Sequence, residues 1–285
     1  MTGTTDMPTP LVSTDWLADN IDSPFLRAVD CSWYLPDMNR DARLEYAEVH
    51  IPGAVFFDID EIADLDSPYP HMMPTPEKFS SRVRNLGLGD ASLIICYDGM
   101  GIFSAARVWW MFRTMGHRNV AVLDGGLPKW LAENRPVSLL PETASERHFT
   151  PDFNVEQVAA ADHIATGLGA SEIQILDARP AARFKGEAAE PRPGVRPGRI
   201  PGSKNLPFTN LFDDNGLFLK GDALRAAYEE AGIDLTKPVA TTCGSGVTAA
   251  VLSLGLDLLG HDDHQLYDGA WSEWGSREDL PVETG

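Results

Sequence analysis

The sequence predicts an α/β protein built as a tandem duplication, two copies of one domain, each a parallel sheet flanked by helices. Two observations predict it. Landmarks recur in the same order in both halves: Ile51-Pro52-Gly53 answers to Ile200-Pro201-Gly202, Gly116-His117 to Gly260-His261, and Asp124-Gly125 with Trp130 to Asp268-Gly269 with Trp274. The offset is 149 residues at the first landmark and 144 at the other two, as expected of one fold repeated with small loop changes. Within each half, β-branched runs of four to seven residues alternate with amphipathic stretches, the pattern of strands joined by crossover helices. At 285 residues the chain is long enough for two ordinary cores.

In order, the predicted strands are residues 26–30, 55–58, 93–97 and 120–123, then 174–177, 205–207, 239–242 and 265–267. Residues 104–115 and 247–259 read as the long helices. The run Val108-Trp109-Trp110-Met111-Phe112 is expected to be a packed helix face, and Trp130 and Trp274 equivalent core positions. The stretch from Arg135 to Pro151 is polar and holds three prolines, which suits a surface connection. The expected division is residues 1–134, a linker at 135–155, and 156–285.

Charge and composition exclude several partners. With 42 acidic against 23 basic side chains the net charge is -19, which repels phosphate backbones and anionic lipid, so neither nucleic acid nor membrane is expected to bind. Residues 1–10 carry Asp6, no Lys or Arg and no apolar core of a secretory signal, and 247–259 is too short to span a bilayer, so a cytoplasmic protein is expected. Cys31, Cys96 and Cys243 form no C-x-x-C pair, which predicts neither a disulfide framework nor a metal site.

The segment Cys243-Gly244-Ser245-Gly246-Val247-Thr248-Ala249 sits between a predicted strand and a predicted helix. Its glycines permit a tight turn in which successive N–H groups face one concavity, a cradle that stabilises a thiolate. A free cysteine is more often simply buried, and Cys31 and Cys96 fit that reading; Cys243, where strand gives way to glycine turn, reads as a nucleophile. Gly244-x-Gly246-x-x-Ala249 formally matches a dinucleotide fingerprint, but only 36 residues follow it. A cysteine phosphatase needs an arginine on this loop, where Ala249 stands instead. Sulfur transfer through a persulfide needs only the cradle and no cofactor.

The loop, the two Ile-Pro-Gly elements and the paired Asp-Gly…Trp elements resemble the two-domain rhodanese-fold sulfurtransferases, and within them the 3-mercaptopyruvate branch, in register from about Val12 to Val282. The resemblance implies rhodanese-like domains with the site in the cleft between them, and Cys243 as nucleophile supported by loop N–H groups of Gly244, Ser245, Gly246, Val247 and Thr248. Thiosulfate-preferring relatives carry basic side chains at the positions of Gly244 and Ser245. The first half has Asp98 where Cys243 stands, and a carboxylate cannot carry a persulfide, so that copy is expected to be catalytically silent.

Residues 183–204 contain six basic and two acidic side chains, +4 in a chain of -19. Solvated surface loop is the bland reading; a carboxylate clamp is the functional one, since guanidinium matches carboxylate bidentately. The resemblance selects Arg183 and Arg192 as substrate-binding, leaving Arg196 and Arg199 to structure. It also implies that Ser245, His71 and Asp60 form a proton relay. The expected reaction takes sulfur from 3-mercaptopyruvate to an acceptor, a thiol such as thioredoxin or a small thiol, or cyanide. A thiosulfate sulfurtransferase and a non-catalytic sulfur-binding or scaffold module stand as alternatives.

Overall fold

The computed structural model describes residues 9–139, 142, 144–168 and 173–285; most of the N-terminal segment read above for targeting lies outside them. The chain divides into two compact units. The first comprises residues 1–63 and 74–153; the second comprises 64–73 and 154–285.

The first unit is a five-stranded parallel sheet. Its strands are β1 (Leu11–Val12), β2 (Leu26–Asp30), β3 (Val55–Phe56), β4 (Leu93–Tyr97) and β5 (Val120–Leu123), in the order β1-β5-β4-β2-β3. Among the described residues its α-helices are α1 (Thr14–Asn20), α2 (Ala42–Glu48), α3 (Pro76–Asn85), α4 (Ala105–Thr114) and α5 (Gly126–Ala132). Every residue of β4 and β5 is buried, which is why these strands read as unbroken apolar runs. Trp109 and Trp110 lie buried on α4, the packed face that the sequence predicts.

The second unit repeats the sheet with β6 (Val158–Ala159), β7 (Gln174–Asp177), β8 (Lys204–Asn205), β9 (Val239–Thr242) and β10 (His264–Tyr267), in the order β6-β10-β9-β7-β8. Its helices are α6 (Ala161–Gly167), α7 (Ala181–Phe184), α8 (Gly221–Glu230), α9 (Ala249–Leu258) and α10 (Ala270–Trp274).

The sequence landmarks are the joints of this fold. Each Ile-Pro-Gly is a turn whose glycine has positive φ (Gly53 +75°, Gly202 +74°), closed by Ala54 N–H to Ile51 O and Ser203 N–H to Ile200 O at 3.0 and 3.1 Å. Each Gly-His ends a helix in the same way. His117 and His261 donate back to Phe112 O and Leu256 O, and the preceding glycine takes the left-handed conformation. Trp130 and Trp274 are both buried, and each donates its indole N–H at 2.7 Å, to Pro136 O and Pro281 O.

Two features depart from the sequence reading. The expected linker runs along the first unit: His50 and Ser138 exchange backbone hydrogen bonds at 2.9 and 3.0 Å, Asp90 N–H reaches His148 O, and Phe149 packs against Phe79 and Phe112. The unit boundary therefore falls after Phe153. Conversely, Asp64–Met73 packs with the second unit, although the first half encodes it. The edge strands β1 (Leu11–Val12) and β6 (Val158–Ala159) lie outside the predicted strands.

Candidate active site

Parallel sheets present their loops for chemistry at the carboxyl ends of the strands, where the strand order reverses. In the second unit that place is the end of β9 and β7. Cys243 directly follows β9, Arg179 and Arg183 follow β7, and the turn 268–272 follows β10.

Cys243 is 2% exposed, so its burial matches that of Cys31 and Cys96 and does not by itself distinguish them. Its surroundings do. Cys243 O accepts the N–H of Trp271 at 2.9 Å, and Gly244 O accepts both the N–H and the Oγ–H of Ser272, at 2.9 and 2.6 Å. Gly246 takes φ +79°, the turn for which the sequence supplies glycine.

The first unit displays how such a loop uses its N–H groups. Asp98 follows β4 as Cys243 follows β9, and the bond Leu127 N–H to Asp98 O, 3.0 Å, repeats that from Trp271 to Cys243. The buried Asp98 carboxylate accepts the N–H groups of Met100, Phe103 and Ala105 at 2.8, 2.7 and 2.9 Å. A loop of this design gathers N–H groups around an anion held by its first residue.

Ser245 and His71 meet directly, Oγ to Nδ1 at 3.1 Å, and each is 5% exposed. His71 belongs to the Asp64–Met73 segment. That segment closes on itself through Asp64 N–H to Met72 O, 2.8 Å, and is tied down by Met73 N–H to the buried Asp268 carboxylate, 2.7 Å. His71 itself sits at φ +61°, a left-handed conformation unusual for a side chain beyond glycine and asparagine. Asp60 lies in the first unit, exposed, where its carboxylate accepts the indole N–H of Trp33 at 2.9 Å.

Arg183 stands over the reactive loop: a Cβ added at Gly244 would lie 3.0 Å from its Nη2. Glu190 holds it with bonds to Nη2 and Nε at 2.5 and 3.3 Å, and also takes Arg179 Nη1 at 2.8 Å. Arg179 is buried, clasped by Asp177 through Nη2 and Nε, and lies over the Trp271 ring. Arg192 is half-buried two residues beyond Glu190. Arg196 donates to the carbonyls of Trp274, Gly275, Arg277 and Leu280, and Arg199 pairs with Glu283, so both serve structure.

Sequence reasoning missed Arg179, Glu190, Asp268 and Ser272. Asp177-Ala178-Arg179 at a strand end is a signal for a local ion pair, but nothing local marks Glu190, Asp268 or Ser272, whose partners are set by folding. Among the described residues no group of three His, Cys, Asp or Glu side chains is arranged to hold a metal.

Comparison with known proteins places this geometry. The rhodanese-like domain family matches residues 13–133 and again 160–277. A 3-mercaptopyruvate sulfurtransferase of Escherichia coli K12 is 46% identical over 276 residues, covering 95% of this chain and 97% of that protein. The mitochondrial thiosulfate/3-mercaptopyruvate sulfurtransferase 1 of Arabidopsis thaliana is 43% identical over 296 residues, covering 96% and 78%. The crystal structure of SseA from Escherichia coli, a 3-mercaptopyruvate sulfotransferase, superposes with a TM-score of 0.85 at 41% identity, covering 92% of this chain and 99% of that one. With a rhodanese-like domain in each half and these relatives along nearly its whole length, the chain belongs to the rhodanese-fold sulfurtransferase family.

Proposed function

We propose that this enzyme takes sulfur from 3-mercaptopyruvate and passes it to a thiol or cyanide through a persulfide on Cys243. The observation that supports the substrate is Arg183 beside Gly244: a Cβ there would lie 3.0 Å from its Nη2, so a guanidinium stands against the loop where it can meet a carboxylate several bonds from the sulfur.

The roles follow. Arg183 and Arg192 hold the carboxylate. The Cys243 thiolate attacks the substrate sulfur; the sulfur–sulfur bond forms as the carbon–sulfur bond breaks, and the electron pair goes to the carbon as pyruvate enolate. The thiol proton passes by way of Ser245 and His71 and ends on that carbon, giving pyruvate with no net proton released. Asp60 is proposed to orient His71. N–H groups of Gly244, Ser245, Gly246, Val247 and Thr248 stabilise first the thiolate and then the persulfide anion. Attack by the acceptor thiolate, from thioredoxin or a small thiol, on the outer sulfur restores Cys243; cyanide leaves as thiocyanate.

No described helix is long and apolar enough to cross a membrane. Three free cysteines suit a reducing compartment, and we place the activity in the cytoplasm. The deciding experiment is intact mass after incubation with 3-mercaptopyruvate. The wild type gains about one sulfur atom and Cys243→Ser gains none, as a covalent intermediate requires; equal gain in both, or none in either, overturns the mechanism. Faster turnover of thiosulfate than of 3-mercaptopyruvate overturns the substrate.

A further inference from the structure

The duplication supplies an internal control, since the two loops share a fold and differ in chemistry. One anchor is common to both: the carbonyl of the loop's first residue accepts an N–H from the turn after the last strand, Trp271 to Cys243 in the second unit and Leu127 to Asp98 in the first. The next anchor is not shared. In the second unit Gly244 O is held twice by Ser272, through N–H at 2.9 Å and Oγ–H at 2.6 Å. The landmark offset of 144 puts Pro128 at the equivalent place, and proline has neither an N–H nor a hydroxyl to give.

A trans peptide is planar, with its C=O and N–H directed oppositely. Holding Gly244 O toward Ser272 therefore directs the Ser245 N–H away from α10, as the bond from Trp271 to Cys243 O does for the Gly244 N–H. The first unit shows what this direction serves. The N–H of Met100, two residues after Asp98 as Ser245 is two after Cys243, donates to the Asp98 carboxylate at 2.8 Å. There the loop's own anion orients the peptide. A cysteine carries no carboxylate to do so, and a sulfur that exchanges its charge and its substituent in every cycle needs the peptide held from behind. Ser272 is 5% exposed, and its own carbonyl accepts Ser276 Oγ–H at 2.7 Å, so it is fixed from both sides.

We propose that Ser272 is a positioning residue of the reactive copy: it fixes the peptide plane between Gly244 and Ser245 so that the Ser245 N–H faces the reacting sulfur. The inference rests on Cys243 being the sulfur carrier.

The test compares Ser272→Ala, which removes the hydroxyl, with Ser272→Thr, which keeps it, using the full chain. The pH dependence of Cys243 alkylation by iodoacetamide is read alongside kcat and KM for 3-mercaptopyruvate. In Ser272→Ala the alkylation midpoint moves up by about half a unit or more as thiolate stabilisation is lost. Its kcat falls about tenfold with KM nearly unchanged, a fraction of the loss from deleting a direct donor, and Ser272→Thr restores both. An unmoved midpoint and unchanged kcat in Ser272→Ala, with or without a lower melting temperature, overturns the proposal while leaving the persulfide mechanism standing. Wild type that takes up no sulfur overturns that mechanism instead.

Discussion

His71 and Ser245 are 174 residues apart in the chain and 3.1 Å apart in space. That contact joins an imidazole on a left-handed backbone to a hydroxyl two residues from Cys243, the proposed nucleophile, and removing the imidazole tests it. His71→Asn should lower kcat/KM for 3-mercaptopyruvate about a hundredfold, the usual yield of a positioned acid–base group. The melting temperature should change little, because asparagine tolerates the left-handed backbone that His71 occupies. Initial rates of pyruvate release and a thermal melt decide it; an unaltered rate removes His71 from the proton path.

Glu190 holds Arg183 in place over Gly244 while sharing itself with Arg179. Glu190→Ala strands a partly buried guanidinium, at a cost of about 3 kcal/mol in stability. Arg183 is then free to swing away from the loop, so KM should rise about tenfold, roughly the worth of one charge-assisted contact, with a smaller change in kcat. Steady-state kinetics with urea unfolding separate the two effects, and a fall in kcat alone contradicts a substrate-holding role for Arg183.

Asp98 stands in the first unit's loop as a built-in anion. Asp98→Ala leaves the buried N–H groups of Phe103 and Ala105 without their acceptor and removes that of Met100 at the loop surface, for a loss of about 3 kcal/mol. Sulfur uptake measured by intact mass should be unchanged at a temperature where the variant stays folded. If uptake disappears with the fold intact, the first copy is not silent.

Asp30 ends β2 where Asp177 ends β7, but the residue two further on is Ser32 in place of Arg179. Burial without that arginine pushes the Asp30 carboxyl up from its ordinary 3.8 to about 6, despite its hydrogen bonds to Ser32. A raised acid favours the fold while protonated, so its stabilising protonated form is fully present below pH 3.8. That contribution is lost as pH rises to about 6, worth about 3 kcal/mol over the window. Asp30→Asn should therefore gain stability over the wild type progressively from pH 4 to 6 and hold a constant lead above that. Urea unfolding across the series checks it; a constant difference at all pH values refutes the assignment.

The strands were legible because parallel sheets bury both faces, so β4 and β5 appear as unbroken apolar runs and β2, β7 and β9 as short runs of largely apolar and β-branched residues. The reactive loop was legible because its chemistry is local: strand, cysteine, glycine, helix. What stayed hidden is tertiary. Nothing in Pro70-His71-Met72 announces that its loop packs with the second unit, and Glu190 in a basic stretch reads as one more solvated charge until Arg179 and Arg183 close on it. The guanidinium groups of Arg196 and Arg199 serve the C-terminal segment, a partnership that the basic stretch alone does not reveal. The expected linker, 135–155, lies between the two family matches yet runs mostly along the first unit, because prolines and polar residues mark surface and surface need not mean spacer.

The Asp64–Met73 segment gives the gene a history that the duplication alone would not. A message beginning at the linker would encode a complete second sheet, with Cys243, Ser245 and both arginines, and no His71. Trimming away the first copy takes the imidazole with it. A second repeat expressed alone would therefore lack the partner that Ser245 has in the full chain.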